Sequence, residues 1–253
     1  MRIRTVWLLW AAAASCCGVF GQEAARQAFE VASIRPHEGP LNAIDQYSAS
    51  GPRLTLGAFN LPFLLMEAFG LRNFQLSFTA QNATLVDYWD ITATAPGTGT
   101  RTKDEFRQML QSLLADRFKL QEHRETRDMA VYALVVDKSG SKLKPGSGGA
   151  PCAARIGPVQ PQDRNYRYQY INCKLAPLLN TLQADRPILD KTGLTGDYDI
   201  VLSATPAFKM RDSTEPGDIS VNDAIRELGL RLEARKEPVE VLVVDHVEKP
   251  TDN

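Results

Sequence analysis

Apolar and polar positions along this chain follow two periods, and the same succession of periods is written twice. Residues 90–138 run Asp90-Ile91, then a stretch with apolar residues every three to four positions. Phe118-Lys119-Leu120-Gln121-Glu122 follows, then a polar break, then Tyr132-Ala133-Leu134-Val135-Val136-Asp137-Lys138. Residues 199–246 repeat the order with Asp199-Ile200, a shorter helical stretch, Leu230-Arg231-Leu232-Glu233-Ala234, a break, and Glu240-Val241-Leu242-Val243-Val244-Asp245-His246. Helical and alternating periods in a fixed order, repeated, predict an α+β fold of two related lobes, each with antiparallel strands packed by one or two helices.

The remaining elements follow from local signals. Phe29 to Ile34 alternates and predicts a strand, Pro36 to Ser50 a polar loop, and Arg53 to Phe59 a second strand. Asn60 is placed to cap a helix with Pro62 in its first turn. Leu61, Leu64, Leu65 and Ala68 form its buried face, and Gly70 stops it. Tyr88 to Ala95 predicts a strand. Thr102-Lys103-Asp104-Glu105 is a capping box opening a helix whose Phe106, Met109, Leu110, Leu113 and Leu114 share one face. A hairpin is expected after it, Phe118 to Glu122 and Met129 to Val136, turning near Arg124 to Asp128. In the second lobe, Leu175, Leu178, Leu179 and Leu182 mark a helix, Tyr198 to Ser203 a strand, and Ser220-Val221-Asn222-Asp223 a second, shorter capped helix. Two closing strands flank Lys236-Glu237-Pro238.

The first 21 residues change the picture. Arg2 and Arg4 precede an apolar run, Val6 to Ala14, of signal-peptide length and too short to span a bilayer. Val19-Phe20-Gly21 suits cleavage after Gly21. The expected organisation is a signal peptide over 1–21, an N-terminal α+β lobe over 22–140, a linker and disulfide loop over 141–173, and a C-terminal α+β lobe over 174–253. A competing reading makes Cys16 or Cys17 a lipid attachment site. The chain beyond Gly21 would carry 27 Lys and Arg against 30 Asp and Glu, a formal charge of −3. That is no electrostatic footprint for nucleic acid, and no later segment reads as transmembrane. Localisation is expected to be periplasmic or extracellular.

Cys152 and Cys173 remain after such cleavage. In an exported chain they most simply pair with each other, closing a loop whose constraint stabilises by about 3 kcal/mol in the chain-entropy model. The loop holds Tyr166, Tyr168 and Tyr170, candidates for lining a ligand groove between the lobes. Asp190, Asp197 and Asp199 surround a glycine turn and are candidates for a ligand or calcium site, against the plainer role of satisfying turn amides.

Several stretches together resemble an uncharacterised family of exported soil-bacterial proteins, a domain of unknown function with many paralogues. They are Phe29-Glu30-Val31-Ala32-Ser33-Ile34-Arg35-Pro36, the run Met109 to Leu120, His123-Arg124-Glu125-Thr126-Arg127, the run Asp190 to Asp199, and the run Val243 to Pro250. In some relatives a similar domain is fused to an antibiotic-sensor-type membrane metallopeptidase; this chain has neither the transmembrane bundle nor H-E-x-x-H. The resemblance implies an envelope or extracellular domain and carries over no catalytic residue.

Motifs for chemistry are sparse. Ser139-Gly140-Ser141-Lys142 and Lys191-Thr192-Gly193 match fragments of the penicillin-recognising enzymes, but the serine lies in a glycine-containing linker rather than at a helix start. His37, His123 and His246 are far apart in sequence, and no P-loop, dinucleotide fingerprint or G-x-S-x-G occurs. No catalytic residue, metal or cofactor is assigned. The expected function is a binding or interaction module whose partner is an envelope protein or a peptide strand added to a free sheet edge. The rival is a hydrolase acting on envelope or extracellular polymer, which a cleft gathering Asp190, Asp199 and His246 would favour.

Overall fold

The computed structural model describes residues 27–40, 46–79, 87–158, 160–182, 184–206 and 215–250. The expected leader and both candidate lipidation cysteines lie outside these residues, as do parts of the expected loops at 36–50 and 207–217. Among the described residues the fold is α+β, with four α-helices and twelve strands in three four-stranded, mostly antiparallel sheets.

The first sheet has the order β1-β5-β3-β2, built from β1 (Val31–Pro36), β2 (Gln46–Ser50), β3 (Arg53–Asn60) and β5 (Tyr88–Thr94). Between β3 and β5 lie α1 (Leu61–Phe69) and the short β4 (Leu76–Phe78). Asn60 caps α1 through the amide of Phe63 at 3.0 Å, and Gly70 ends it in the left-handed region at φ 64°. The long helix α2 (Lys103–Arg117) starts at the expected capping box, with Thr102 and Glu105 each bonded to the other's amide. Its buried Phe106, Met109, Leu110, Leu113 and Leu114 pack with Leu61, Leu64 and Leu65 of α1 and with Leu54, Leu56 and Ile91 of the sheet.

A third sheet has the order β7-β11-β9-β8, from β7 (Lys144–Pro145), β8 (Ala153–Pro158), β9 (Tyr166–Cys173) and β11 (Tyr198–Ala204). Helix α3 (Leu175–Thr181), strand β10 (Ile188–Asp190) and helix α4 (Val221–Glu227) complete this half. The segment expected to be a disulfide loop is therefore a β-hairpin. Tyr166, Tyr168 and Tyr170 alternate at the strand period, and Tyr168 and Tyr170 point into the second core. The Cys152–Cys173 disulfide closes the open end of that hairpin. Gln46 to Ser50, also expected as loop, pairs with β3 as an edge strand.

The larger correction concerns the two expected hairpins. Residues Gln121–Val136 form one strand, β6, and Leu230–His246 form one strand, β12; the two pair antiparallel along nearly their whole length. The charged stretch Arg124 to Asp128 stays extended because it lies opposite Pro238 to Leu242, with Arg124 paired to Glu240 and Lys236 3.6 Å from Asp128. Pro238 is tolerated because the middle of this ribbon has only two strands, leaving its outer edge without a neighbour to bond. Short strands widen the ribbon at its ends, β10 parallel to β6 and β4 parallel to β12, giving the order β10-β6-β12-β4.

The ribbon joins the two cores. Leu242, Val244 and Val247, from the end of β12 and just beyond, belong to the core around α1 and α2. Leu134 near the end of β6 and Leu230 at the start of β12 belong to the core around α3 and α4. Between them Val131, Val239, Val241 and Val243 form a small apolar cluster with Phe74, Met129 and Leu189.

Candidate functional site

The seam between the halves opens into a trough. Gly70 turns the chain out of α1, and Arg72 then crosses to the other half. Its guanidinium donates to the carbonyls of Leu179, at 2.9 Å, and Ile188, at 2.5 Å. Leu179 lies in the last turn of α3, where carbonyls lack intrahelical partners, so Arg72 satisfies one of them. Burial lowers the Arg72 pKa from its ordinary value, yet an arginine so placed stays charged.

Beside Arg72 is a cavity of about 640 Å3, walled by Met66 and Phe74 from the first half and by Leu182, Arg186 and Ile188 from the second. A second cavity of about 360 Å3 shares Met66, Leu71, Arg72 and Asn180 with it and continues along α1 to Tyr47, Lys103 and Arg107. Three of the trough's cations stand over aromatic rings: Arg72 over Phe74 at 4.8 Å, Lys103 over Tyr47 at 5.1 Å, and Arg186 over Tyr132 at 5.5 Å. Glu67 sits 3.2 Å from Lys103 and 3.6 Å from Arg107, and Asp185 3.5 Å from Arg186. Burial first, then the Glu67 charge, raises the Tyr47 phenol.

The residues singled out in the sequence do not line this trough. Tyr168 and Tyr170 are buried in the second core, which raises both phenols; Tyr170 donates to Thr181 at 2.7 Å. Tyr166 is half-buried at the start of the same strand. Asp190 accepts from the amide and hydroxyl of Thr192 in a turn, and Asp197 lies 3.6 Å from Lys174. Asp199 accepts the amide of Asn172 at 2.8 Å. His246 is at the surface, 2.9 Å from Glu248, and His123 is half-exposed, 2.7 Å from Asp245. Among the described residues no group of three or more His, Cys, Asp or Glu side chains is placed to hold a metal ion.

One arrangement was missed in the sequence. His37, just after β1, places Nδ1 2.9 Å from Asp90 Oδ1 and 3.1 Å from Oδ2. The same Oδ1 accepts the Ala58 amide at 2.9 Å, at a bulge in β3 where Ala58 takes φ 55°. A cavity of about 370 Å3 lies here, lined by His37, Tyr88, Trp89, Lys249 and neighbouring prolines. The signal available in the sequence was Asp90 itself, which opens the repeated pattern, together with Pro36-His37 closing the first strand.

Three sheets, the middle one built on a two-stranded ribbon that contributes to both cores, define an α+β protein with a cationic trough beside Arg72. The family described as "Protein of unknown function (DUF3738)" matches residues 63–247, and the chain belongs to that family. No curated protein and no solved structure matches the chain.

Proposed function

We propose that this protein is an exported binding module of the cell envelope or extracellular space that takes an acidic, partly apolar peptide segment in the trough between its halves. The observation that carries the reading is the charge of the trough. Arg72, Lys103, Arg107 and Arg186 are set against Glu67, Asp104 and Asp185, and three of the four cations are held over aromatic rings beside Met66, Phe74 and Leu182. Cations already fixed by rings lose little freedom on meeting a carboxylate. Apolar walls between them favour a peptide with alternating acidic and apolar residues over a simple anion.

The hydrolase reading has less support. Asp190, Asp199 and His246 stand apart, each engaged by a different neighbour. Export is supported by the leader-like pattern of residues 1–21 and is compatible with the disulfide and with the absence of any described helix long and apolar enough to cross a membrane.

We also read the two halves as copies of one unit. The outer sheets share the order edge, 5, 3, 2 and edge, 11, 9, 8, and an aspartate in the third position of β5 and the second of β11 accepts an amide from a left-handed bulge residue, Ala58 or Asn172.

The test is fluorescence anisotropy with a labelled peptide of alternating Glu and Leu and its Lys/Leu counterpart, across a salt series. The acidic peptide is expected to bind more tightly, weaken with salt, and lose at least tenfold in affinity in the Arg186→Glu, Lys103→Glu double variant. Equal binding of both peptides, or no effect of charge reversal, sinks the reading. Cross-linking on native envelopes then names the natural partner.

A further inference from the structure

Among the described residues, one sheet edge is left undefended. An unpaired strand edge invites another chain to pair with it, and proteins blunt such edges with short strands, charges, prolines or bulges. Strand β1 carries Arg35 and Pro36, and β8 carries Arg155 and Pro158. Strands β4, β7 and β10 are only two or three residues long. The open middle of the ribbon is densely charged. Strand β2, Gln46–Ser50, has none of these devices. Its five residues are all exposed, none is charged or proline, and its register with β3 runs without a shift.

The turn after β2 fixes which of its groups face outward. Gly51 and Pro52 form a two-residue hairpin turn, with Gly51 at φ 57°, so Ser50 and Arg53 close it as a hydrogen-bonded pair. Alternation makes Ser48 with Thr55 and Gln46 with Gly57 the next bonded pairs. Tyr47 and Ala49 therefore point their N–H and C=O groups away from β3, and no hydrogen bond from a described residue meets them there. Their side chains stand opposite Leu56 and Leu54, on the buried, helix-covered face of the sheet.

This edge runs into the trough. Tyr47 walls the cavity that Phe59, Phe63, Met66 and Arg72 also line, and Lys103 Nζ stands over its ring at 5.1 Å. Lys103 is half-exposed and has donors to spare beyond its contact with Glu67. A second copy is a poor occupant, since five short residues a side fall far below the roughly 20–30 a side of a stable interface. An extended peptide meets both features. Every pair in this sheet is antiparallel, and in an added antiparallel strand the residues bonding Tyr47 and Ala49 carry their side chains on the same face as these two, beside Lys103. Acidic residues at those alternate positions complement the lysine, and main-chain bonds supply affinity. We propose that the acidic peptide of the trough docks on β2 as a fifth, antiparallel strand of the first sheet, held by the main-chain groups of Tyr47 and Ala49; this rests on the trough reading.

The test titrates the full chain with the labelled Glu/Leu peptide in three forms: unmodified, N-methylated at the Glu amides, and N-methylated at the Leu amides. In the antiparallel strand the Glu amides face β2, so their methylation is expected to weaken binding about tenfold or more, and Leu methylation less than about threefold. Ala49→Pro removes an outward N–H that the β2–β3 ladder does not use, and is expected to weaken the unmodified peptide about as much, whereas Ala49→Thr keeps binding. If Ala49→Pro loses its fold by circular dichroism, the two methylated peptides on the unsubstituted chain decide alone. Binding that survives Ala49→Pro, or that responds alike to both methylations, overturns the proposal and leaves the trough reading standing. No binding of the acidic peptide overturns both. A dimer in sedimentation that Ala49→Pro abolishes, with peptide binding unchanged, gives the edge to a second copy and overturns the proposal as well.

Discussion

Single side chains carry several of the joints between distant segments. Arg164 clamps Asp218 with two bonds, 2.8 and 3.1 Å, and reaches Glu215 at 3.0 Å. The Asp218 carboxylate is almost inaccessible, and the Arg164 bonds, followed by the Glu215 amide, hold its pKa at about 2. A carboxyl depressed in the folded state contributes stability that is full above its unfolded value, about 3.9, and fades as pH falls toward 2. The stability gap between the protein and Asp218→Asn should therefore be constant above about pH 5 and shrink steadily below pH 4 in urea titrations. Arg72 is a joint of a different kind, between halves. Arg72→Met should lower stability by about 1.5–3 kcal/mol in urea unfolding, since two carbonyls lose a charged donor. Neither joint was legible in the sequence, because arginine and aspartate at a separation of 54 residues carry no periodic signal. The local caps were legible, since Asn60, Thr102 with Glu105, and Gly70 each act within four residues of their own position.

Secondary-structure elements were readable where burial is one-sided and failed where partners decide. Helix α2 and strand β5 follow their hydrophobic periods within a residue of the expected ends. The ribbon did not. Arg124 to Asp128 in one long strand and Lys236-Glu237-Pro238 in the other read as turns, although Arg124 to Asp128 contains no glycine, asparagine or proline to make one. What keeps each run extended is its pairing with the other long strand, a property of neither strand alone. The ribbon's centre also tests its importance. Val131 is fully buried in the ladder opposite Arg235, so Val131→Pro removes a ladder donor and the valine contacts together. The expected loss is about 3 kcal/mol or more, with both halves unfolding together in circular dichroism and Trp89 emission. Preserved structure in one half alone would show that the ribbon does not couple them.

At the scale of the molecule, the α+β class was legible, whereas the pairing of the two long strands with each other was not. The pattern places Tyr132 to Val136 at the end of the first half, and the chain does put β6 there in order. In space the last residues of β6 pack in the second core, and the last residues of β12 pack in the first. Hydrophobic alternation says which face of a strand is buried, never against which partner. The same limit explains the tyrosines. Tyr166, Tyr168 and Tyr170 were read as groove-lining from their loop-like surroundings, whereas their period of two places them on one face of β9.

The exchange of strands also sets a schedule. Ribosomes deliver roughly 5–20 residues per second, and domains generally fold as they emerge. Here the core around α1 and α2 lacks Leu242, Val244 and Val247 until more than 120 further residues have followed α2. A nascent chain that has made its first half still has that core open along one side. Completion comes only with the final strand, so the polypeptide stays pliable through nearly all of its synthesis.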